Sequence, residues 1–180
     1  MRSFVLGTGR CGTTTFFQAC AHITNYTAGH ETKAKEWKNR LGFPDQHIEI
    51  DHRLAWFLGT IDVMYRDEPV YVHLTRNPEK VARSWAAKAK HKPGQAATWS
   101  ETVIYQRQRK VKPLDAARLM VESVNHNIDL FLKDKTKVVR VRIEDPHDAF
   151  DQFWDLLGAK GNKRMAHEEL RVKHNALVTK

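Results

Sequence analysis

Short apolar runs alternate with longer amphipathic segments along this chain. The runs are rich in β-branched residues, as in strands buried on both faces, and the segments between them repeat apolar residues at helical spacing. The predicted strands cover 2–7, 25–28, 47–50, 69–75 and 138–143. The predicted helices cover 13–22, 32–41, 53–61, 77–90, 97–109, 114–132 and 148–157, before a basic, partly helical tail over 159–180. Strands separated by helices predict an α/β fold with a mainly parallel central sheet flanked by helices.

Length and composition predict one domain spanning 1–180. The 180 residues can bury a real core, and 41% hydrophobic and 28% charged residues are ordinary for a globular protein. No apolar run approaches the ~18 residues of a membrane span. Met1-Arg2-Ser3 leads directly into the first strand, without room for a signal peptide, and the two cysteines are too few for a disulfide framework. We therefore expect a cytoplasmic protein.

Positive charge predicts an anionic ligand. The chain has 30 Lys and Arg against 21 Asp and Glu, a formal net charge of +9. Such a surplus attracts nucleic acid, anionic membranes, acidic polymers or a polyanionic co-substrate. The basic residues form short clusters at 33–40, 88–92, 107–112 and 160–164. Because no helix-turn-helix, zinc-finger or RNP signature accompanies them, the sequence does not favour nucleic acid.

The first candidate site is the loop after the first strand. Gly7-Thr8-Gly9-Arg10-Cys11-Gly12-Thr13-Thr14-Thr15 connects that strand to a helix-compatible segment. In such a layout, backbone N–H groups and a helix N-terminus converge on an oxyanion. The loop matches the spacing of a nucleotide-binding P-loop, but Thr13 stands where the P-loop lysine would contact the outer phosphates. The loop therefore suits an anion, with Arg10 as its cation, and does not favour ATP.

The second candidate site follows the strand at 69–75. Arg76 stands at the carboxyl end of that strand, where ligands bind in open α/β sheets. Asn77, Pro78 and Glu79 are typical of a helix start, and Ser84 lies about two helical turns further on. An arginine fork with a serine hydroxyl can bind a second phosphate.

These two segments resemble those of sulfotransferases that use 3′-phosphoadenosine 5′-phosphosulfate (PAPS). In that family a Lys/Arg-x-Gly-Thr-Thr loop after the first strand holds the phosphosulfate, and 10–14 match it, with Cys11 at a usual serine. A later Arg-(Asn/Asp)-x₆-Ser segment holds the 3′-phosphate, and 76–84 match its residue types and spacing. Residues 138–158 are similar to a late family segment, and 160–164 resemble a basic loop that closes over the 3′-phosphate.

The resemblance implies a P-loop NTPase-like three-layer sandwich and transfer of a sulfuryl group from PAPS to an acceptor hydroxyl or amine. In-line transfer would be stabilised by Arg10 and the loop amides, and a metal is not expected because a sulfuryl group carries less charge than a phosphoryl group. The implied PAPS-binding residues are Gly9, Arg10, Cys11, Gly12, Thr13, Thr14, Thr15, Arg76, Ser84, Lys160 and Gly161. The amide-rich loop also predicts a lowered pKa for the Cys11 thiol.

The acceptor hydroxyl requires a general base. Glu31 is the first candidate, because many bacterial and glycan-directed members of the family place a catalytic glutamate in this region. Asp51 and His52, after the strand at 47–50, are the alternatives. Each of these side chains is also typical of a structural cap near a helix start.

Two other functions stay open. A small nucleotide or nucleoside kinase would have the same strand–loop–helix plan, but this chain has Thr13 where such a kinase has its lysine. The net positive charge alone would suffice for a non-catalytic module that binds polyanions. The sequence does not specify the acceptor: the basic clusters favour an anionic carbohydrate or small molecule, and homo-oligomerisation is open.

Overall fold

A five-stranded, all-parallel sheet organises the chain in the computed structural model, which describes residues 1–89, 95–104 and 111–174. The strands are β1 (Ser3–Leu6), β2 (Thr27–His30), β3 (His47–Ile50), β4 (Val70–Thr75) and β5 (Val138–Arg142). Their order across the sheet is β2-β3-β1-β4-β5, and in the central register Val5 pairs with both Ile50 and Val72. The predicted parallel sheet is confirmed, and each predicted strand lies within about two residues of an observed one.

Helices flank this sheet. The described residues contain α1 (Thr13–Cys20), α2 (Leu58–Tyr65), α3 (Pro78–Ala89), α4 (Gln95–Thr102), α5 (Pro113–Leu132), α6 (His147–Leu157) and α7 (Lys163–Leu170). Asn77 caps α3 as expected, because its Oδ1 accepts the Lys80 N–H at 3.1 Å. Gly158 ends α6 in the left-handed conformation, with φ of 58°. Among the described residues, no helix has the length and apolar character needed to cross a membrane.

The predicted helix at 32–41 is wrong. The structure has turns there, in which the N–H groups of Ala34 and Glu36 bond to carbonyls three residues back. Trp37 is 92% exposed, so the segment has no apolar stripe to bury against the sheet. A short polar segment without such burial does not sustain an α-helix.

The predicted helix at 53–61 is split in two. A 3₁₀ turn over His52–Trp56 comes first, and α2 begins only at Leu58. Asp51 starts the turn because its side chain accepts the Arg53 N–H at 2.8 Å. The first part of the helix predicted at 97–109 is observed as α4, and positions 105–110 lie outside the described residues. The predicted break at Lys92-Pro93-Gly94 and the end of the tail also lie outside them.

An aromatic cluster fixes α1 against α6. Phe16 is fully buried, and its ring centroid lies 5.6 Å from that of Phe150 and 5.5 Å from that of Phe153 on α6. Because α1 begins at the loop after β1, this packing also fixes the position of that loop.

Replacing Phe16 by alanine removes this contact. Phe16→Ala should lower the free energy of unfolding by about 3–5 kcal/mol, because it leaves a cavity between α1 and α6. Leu130→Ala, at a helix position that is 73% exposed, should change it by less than about 0.5 kcal/mol. Urea unfolding of both variants measures the difference, and equal small losses would contradict this role for Phe16.

Candidate functional site

A cleft of about 1910 Å³ opens at the carboxyl edge of the sheet. Segments that follow all five strands contribute to it, because parallel strands all end at one edge. Residues that line it include Gly9, Arg10, Gly12, Thr13, Thr14, Thr15, Glu31, His52, Arg53, Arg76, Ser84, Ile143 and His147. These residues come from segments that are far apart in the sequence, and the fold brings them together.

The loop after β1 is held in a strained, closely packed form. Gly9, Arg10 and Gly12 have φ of 69°, 56° and 101°. A side chain on Gly12 would overlap the side chain of Ile143, and one on Gly9 would lie 2.9 Å from the Trp85 ring. The loop therefore requires glycine at both positions, for conformation and for space. Arg10 adopts a left-handed conformation that usually costs a non-glycine residue about 1 kcal/mol.

The N-terminus of α1 faces this cleft. Gly12 is its N-cap residue, so the described residues provide no side-chain cap there, and the first turn contains no acidic residue. The first N–H groups of a helix lack intrahelical partners and carry a partial positive charge. This end of α1 can therefore accept an anionic ligand.

Arg10, Arg76 and Ser84 meet beside that helix end. The Arg10 Nε donates a hydrogen bond to Ser84 Oγ at 3.0 Å, and Arg76 Nη1 donates to the Arg10 carbonyl at 3.2 Å. Burial and the neighbouring positive charge of Arg76 lower the pKa of Arg10. The two arginine-containing segments predicted to bind anions thus converge on one place, although 66 positions separate the two arginines.

The remaining loop side chains differ in exposure. Cys11 is fully buried, and burial raises the pKa of its thiol to about 11, so the expected lowering is wrong. Thr13 and Thr15 are also buried, and Thr15 Oγ1 donates to the Val172 carbonyl at 3.2 Å. Only Thr14 of the three threonines is half-buried and borders the cleft with a partly accessible side chain.

Glu31 and His52 form a hydrogen-bonded pair on the other side of the cleft. His52 Nδ1 lies 2.9 Å from Glu31 Oε1, and Arg53 Nη1 lies 2.6 Å from Glu31 Oε2. The hydrogen bond from His52, followed by that from Arg53, lowers the pKa of Glu31 to about 2, although burial opposes the shift. His52 Nε2 lies 2.7 Å from the side-chain oxygen of Gln95. The carboxylate is therefore ionised across the physiological range.

Asp51 does not line the cleft. Its side chain is fully buried, pairs with Arg40 and accepts the Arg53 N–H. These contacts make Asp51 a structural residue at the start of the 3₁₀ turn. Oxygen and nitrogen atoms of Glu31, Asp51 and His52 lie within 4.8 Å of one another, as a metal site requires. The arginines that pair with both carboxylates oppose the binding of a cation there.

The structure does not bring Lys160 and Gly161 into the cleft. Lys160 accepts the Thr24 N–H at 2.7 Å through its carbonyl, and Gly161 forms a bridge with Ile23. Both contacts lie beyond the C-terminal end of α1, whereas the cleft lies at its N-terminal end. Instead, the segment 170–174 borders the cleft and contributes Arg171 and Lys173, which the sequence analysis missed.

The N-terminal half of α4 is a second group that the sequence analysis missed. Gln95 and Trp99 line the cleft, one helical turn apart. The helical spacing of 97–109 predicts a helix, but nothing in the sequence indicates which sheet edge that helix borders. Lys80 and Lys88 each lie four residues from Ser84, so both could have been found from the helical repeat of α3.

Because Glu31 forms ion pairs, the free energy of unfolding depends on pH in the acid range. Its pKa is about 2 in the folded protein against an ordinary 4.5, so its stabilising contribution is complete above pH 4.5 and is lost as the pH falls toward 2. Glu31→Gln should therefore be less stable than the wild type at pH 7 and lose less stability between pH 5 and pH 2.5. Urea unfolding across this range measures both slopes, with Glu101→Gln on α4 as a matched exposed control. Equal slopes for the wild type and Glu31→Gln would contradict the pairing.

Comparison with known proteins supports the fold alone. No family model matches this sequence, and no curated protein matches it. Among solved structures, it is similar to the sulfotransferase domain from the curacin biosynthetic pathway, with a TM-score of 0.63 and 13% sequence identity. The similarity covers 93% of this chain and 75% of that one. The parallel sheet and its flanking helices thus have the P-loop-like fold of sulfotransferases.

Proposed function

We propose that this protein transfers a sulfuryl group from PAPS to an acceptor hydroxyl. The observation that carries the proposal is the meeting of Arg10, Ser84 and Arg76 at the N-terminus of α1. Burial, and after it the positive charge of Arg76, lowers the pKa of Arg10. A bound dianionic group would favour the charged form of both arginines. The similarity in fold to a sulfotransferase domain agrees with this assignment.

A ligand with two neighbouring anionic groups suits this end of the cleft. The α1 N-terminus and Arg10 would hold one group, and Arg76 with Ser84 would hold another. PAPS has this arrangement, with a phosphosulfate at its 5′ position and a phosphate at its 3′ position. Thr13 replaces the lysine that a nucleoside triphosphate needs at its outer phosphates, which counts against a kinase.

In the proposed transfer step, residues of this chain stabilise the phosphate that leaves. The acceptor oxygen forms a bond to sulfur as the bond between sulfur and the 5′-phosphate oxygen breaks, which leaves adenosine 3′,5′-bisphosphate. Arg10 and the N–H groups of α1 would stabilise the negative charge that develops on the leaving phosphate. The charge is thus neutralised by groups already fixed in place by the packed loop.

His52 is better suited than Glu31 to take the acceptor proton. A carboxylate whose pKa is about 2 has little affinity for a proton near neutral pH. Glu31 instead accepts from His52 Nδ1 and fixes the ring, so the lone pair of a neutral His52 lies on Nε2. Gln95 presents its side-chain oxygen to Nε2, so the acceptor must displace that oxygen before Nε2 can take the proton. We therefore propose that His52 accepts the proton of the acceptor hydroxyl and that Glu31 positions the His52 ring.

Calorimetric titration tests the co-substrate. The wild type should bind adenosine 3′,5′-bisphosphate and show little response to ATP–Mg²⁺. Arg76→Ala should weaken bisphosphate binding by about tenfold or more, because a charge-assisted hydrogen bond contributes about 1.5–3 kcal/mol. Arg140→Ala, on β5 and outside the cleft, should bind like the wild type. Binding of ATP–Mg²⁺ alone would overturn the proposal in favour of a kinase.

A double-mutant cycle tests the roles of His52 and Glu31. His52→Ala should lower kcat by about 10²–10⁴-fold, the usual contribution of a general base. Glu31→Gln should lower it less, and the double variant should resemble His52→Ala, because Glu31 acts only through the ring. His126→Ala, an exposed histidine outside the cleft, serves as the control. A greater loss in Glu31→Gln than in His52→Ala would assign the base to Glu31.

A further inference from the structure

Two stacked histidines join α6 to α7 at the rim of the cleft. His147, the first residue of α6, lines the cleft, and its Nδ1 lies 2.8 Å from Nδ1 of His167 on α7. The two ring centroids are 5.0 Å apart, with an interplanar angle of 29°. His167 Nε2 in turn lies 2.9 Å from Asp151 Oδ1. The three side chains thus form a chain of hydrogen bonds that leads to the cleft.

Asp151 sets the direction of these hydrogen bonds. Lys163 Nζ lies 2.8 Å from its carboxylate, and the hydrogen bond from Lys163, followed by that from His167, lowers the pKa of Asp151. Because an ionised carboxylate can only accept, His167 donates to it from Nε2. The lone pair of a neutral His167 then lies on Nδ1, so a neutral His147 must donate from its own Nδ1. The carboxylate therefore fixes the tautomer of both neutral rings.

His147 Nε2 is the open end of the chain. Among the described residues, no hydrogen bond or ion pair reaches this atom, and it is not buried. While both rings are neutral, Nε2 has a lone pair, because the only N–H of His147 is donated to His167. One added proton turns Nε2 into an N–H donor and gives the pair a positive charge. A second cannot be added without breaking the contact between the rings, since that contact holds one proton.

Packing connects His147 to the N-terminus of α1. Ile143, four residues earlier, lies against Gly12, the N-cap residue of α1, so closely that a side chain on Gly12 would overlap it. Phe150, one helical turn after His147, packs on Phe16 of α1 and also on the His167 ring, at a centroid distance of 5.7 Å. The histidine pair is therefore held against the helix end that can accept an anion.

Titratable groups from four segments border the cleft together with His147. They are Glu144 and Asp145 after β5, Arg171, Lys173 and His174 after α7, Arg10 after β1, and Arg76 and Lys80 after β4. Asp148 is the next residue on α6, and His174 pairs with Glu169 at 2.8 Å. Among the described residues of the cleft, arginines and lysines outnumber carboxylates, so its surface favours an anion.

We propose that His147 binds an anionic group of the co-substrate through Nε2 and takes up a proton from solvent as it does so. The inference rests on the proposed function, to which it adds a further co-substrate-binding residue and a dependence on pH. An anion beside an imidazole favours the protonated ring, and the protonated ring gives the anion a charge-assisted hydrogen bond. His167 and Asp151 are positioning residues, because they hold the ring and accept from its Nδ1.

Proton uptake makes the affinity for the co-substrate depend on pH. Histidines change charge between about pH 5 and pH 8. Since the complex favours the protonated ring, the contribution of His147 to affinity is complete at the acid end of this range and is lost as the pH rises. Phosphate groups of the ligand titrate near pH 6, but they do so in every variant, so a comparison between variants isolates His147.

Calorimetry in buffers of different ionisation enthalpy measures this proton. At pH 7 the wild type should take up about half a proton more per bound adenosine 3′,5′-bisphosphate than His147→Gln, the value for an ordinary histidine whose pKa rises by about 1 beside an anion. Its affinity relative to that of His147→Gln should fall about fivefold between pH 6 and pH 8. His126→Gln, exposed and outside the cleft, should match the wild type.

The outcomes separate this inference from the proposed function. Bisphosphate binding with equal proton uptake in the wild type and in His147→Gln would overturn the inference and leave the proposed function intact. Failure of the wild type to bind the bisphosphate would refute the proposed function, together with the inference that rests on it.

A matched pair of substitutions on α6 tests the positioning role while His147 stays in place. Asp151→Asn removes the carboxylate that fixes the tautomer of His167 and should lower the proton uptake toward that of His147→Gln. Asp155→Asn, one turn later, removes the other carboxylate near Lys163, at 3.6 Å, and should leave the uptake as in the wild type. Wild-type uptake in both variants, or the same loss in both, would overturn the positioning role.

Discussion

The site depends on the close packing of the loop after β1. Gly12 can lie against Ile143 only because it has no side chain, and Gly9 fits against Trp85 and His52 for the same reason. These contacts join segments that follow β1, β3, β4 and β5. They fix both the N-terminus of α1 and the Arg10 side chain before any ligand binds. A loop held so firmly can tolerate the left-handed conformation of Arg10, because the surrounding contacts outweigh its cost.

The distribution of charge gives the cleft its polarity. Arg10 and Arg76 lie together near α1, whereas the carboxylates Glu31 and Asp51 on the β2 and β3 side are matched with arginines. One end of the cleft therefore attracts anions, and the other end is close to neutral. This distribution of charge favours a polyanionic ligand at the α1 end of the cleft.

The arrangement of Glu31 and His52 shows how tertiary contacts change the chemistry of a side chain. The sequence places Glu31 after a strand, and the family resemblance implies a catalytic base in this region. In the folded protein, hydrogen bonds from His52 and Arg53 stabilise its charged form and lower its pKa to about 2. Cys11 shows the opposite effect, because burial stabilises the neutral thiol. Ionisation depends on neighbours that are distant in sequence, so local sequence could not predict either outcome.

The sequence by itself determined the parallel α/β sheet, the glycine-rich loop and the two arginine-containing segments, because buried strands, helix caps and tight turns each leave a local pattern of residues. It failed at 32–41, where helix-compatible residues lacked a surface to bury against. It also did not indicate that Gly161 pairs with Ile23, beyond the C-terminal end of α1. Only the tertiary structure decided that Arg10 contacts Ser84, that His52 contacts Glu31 and that α4 borders the cleft. These contacts follow from the strand order and from how the helices pack, which depend on the summed burial of the whole core and on no single segment.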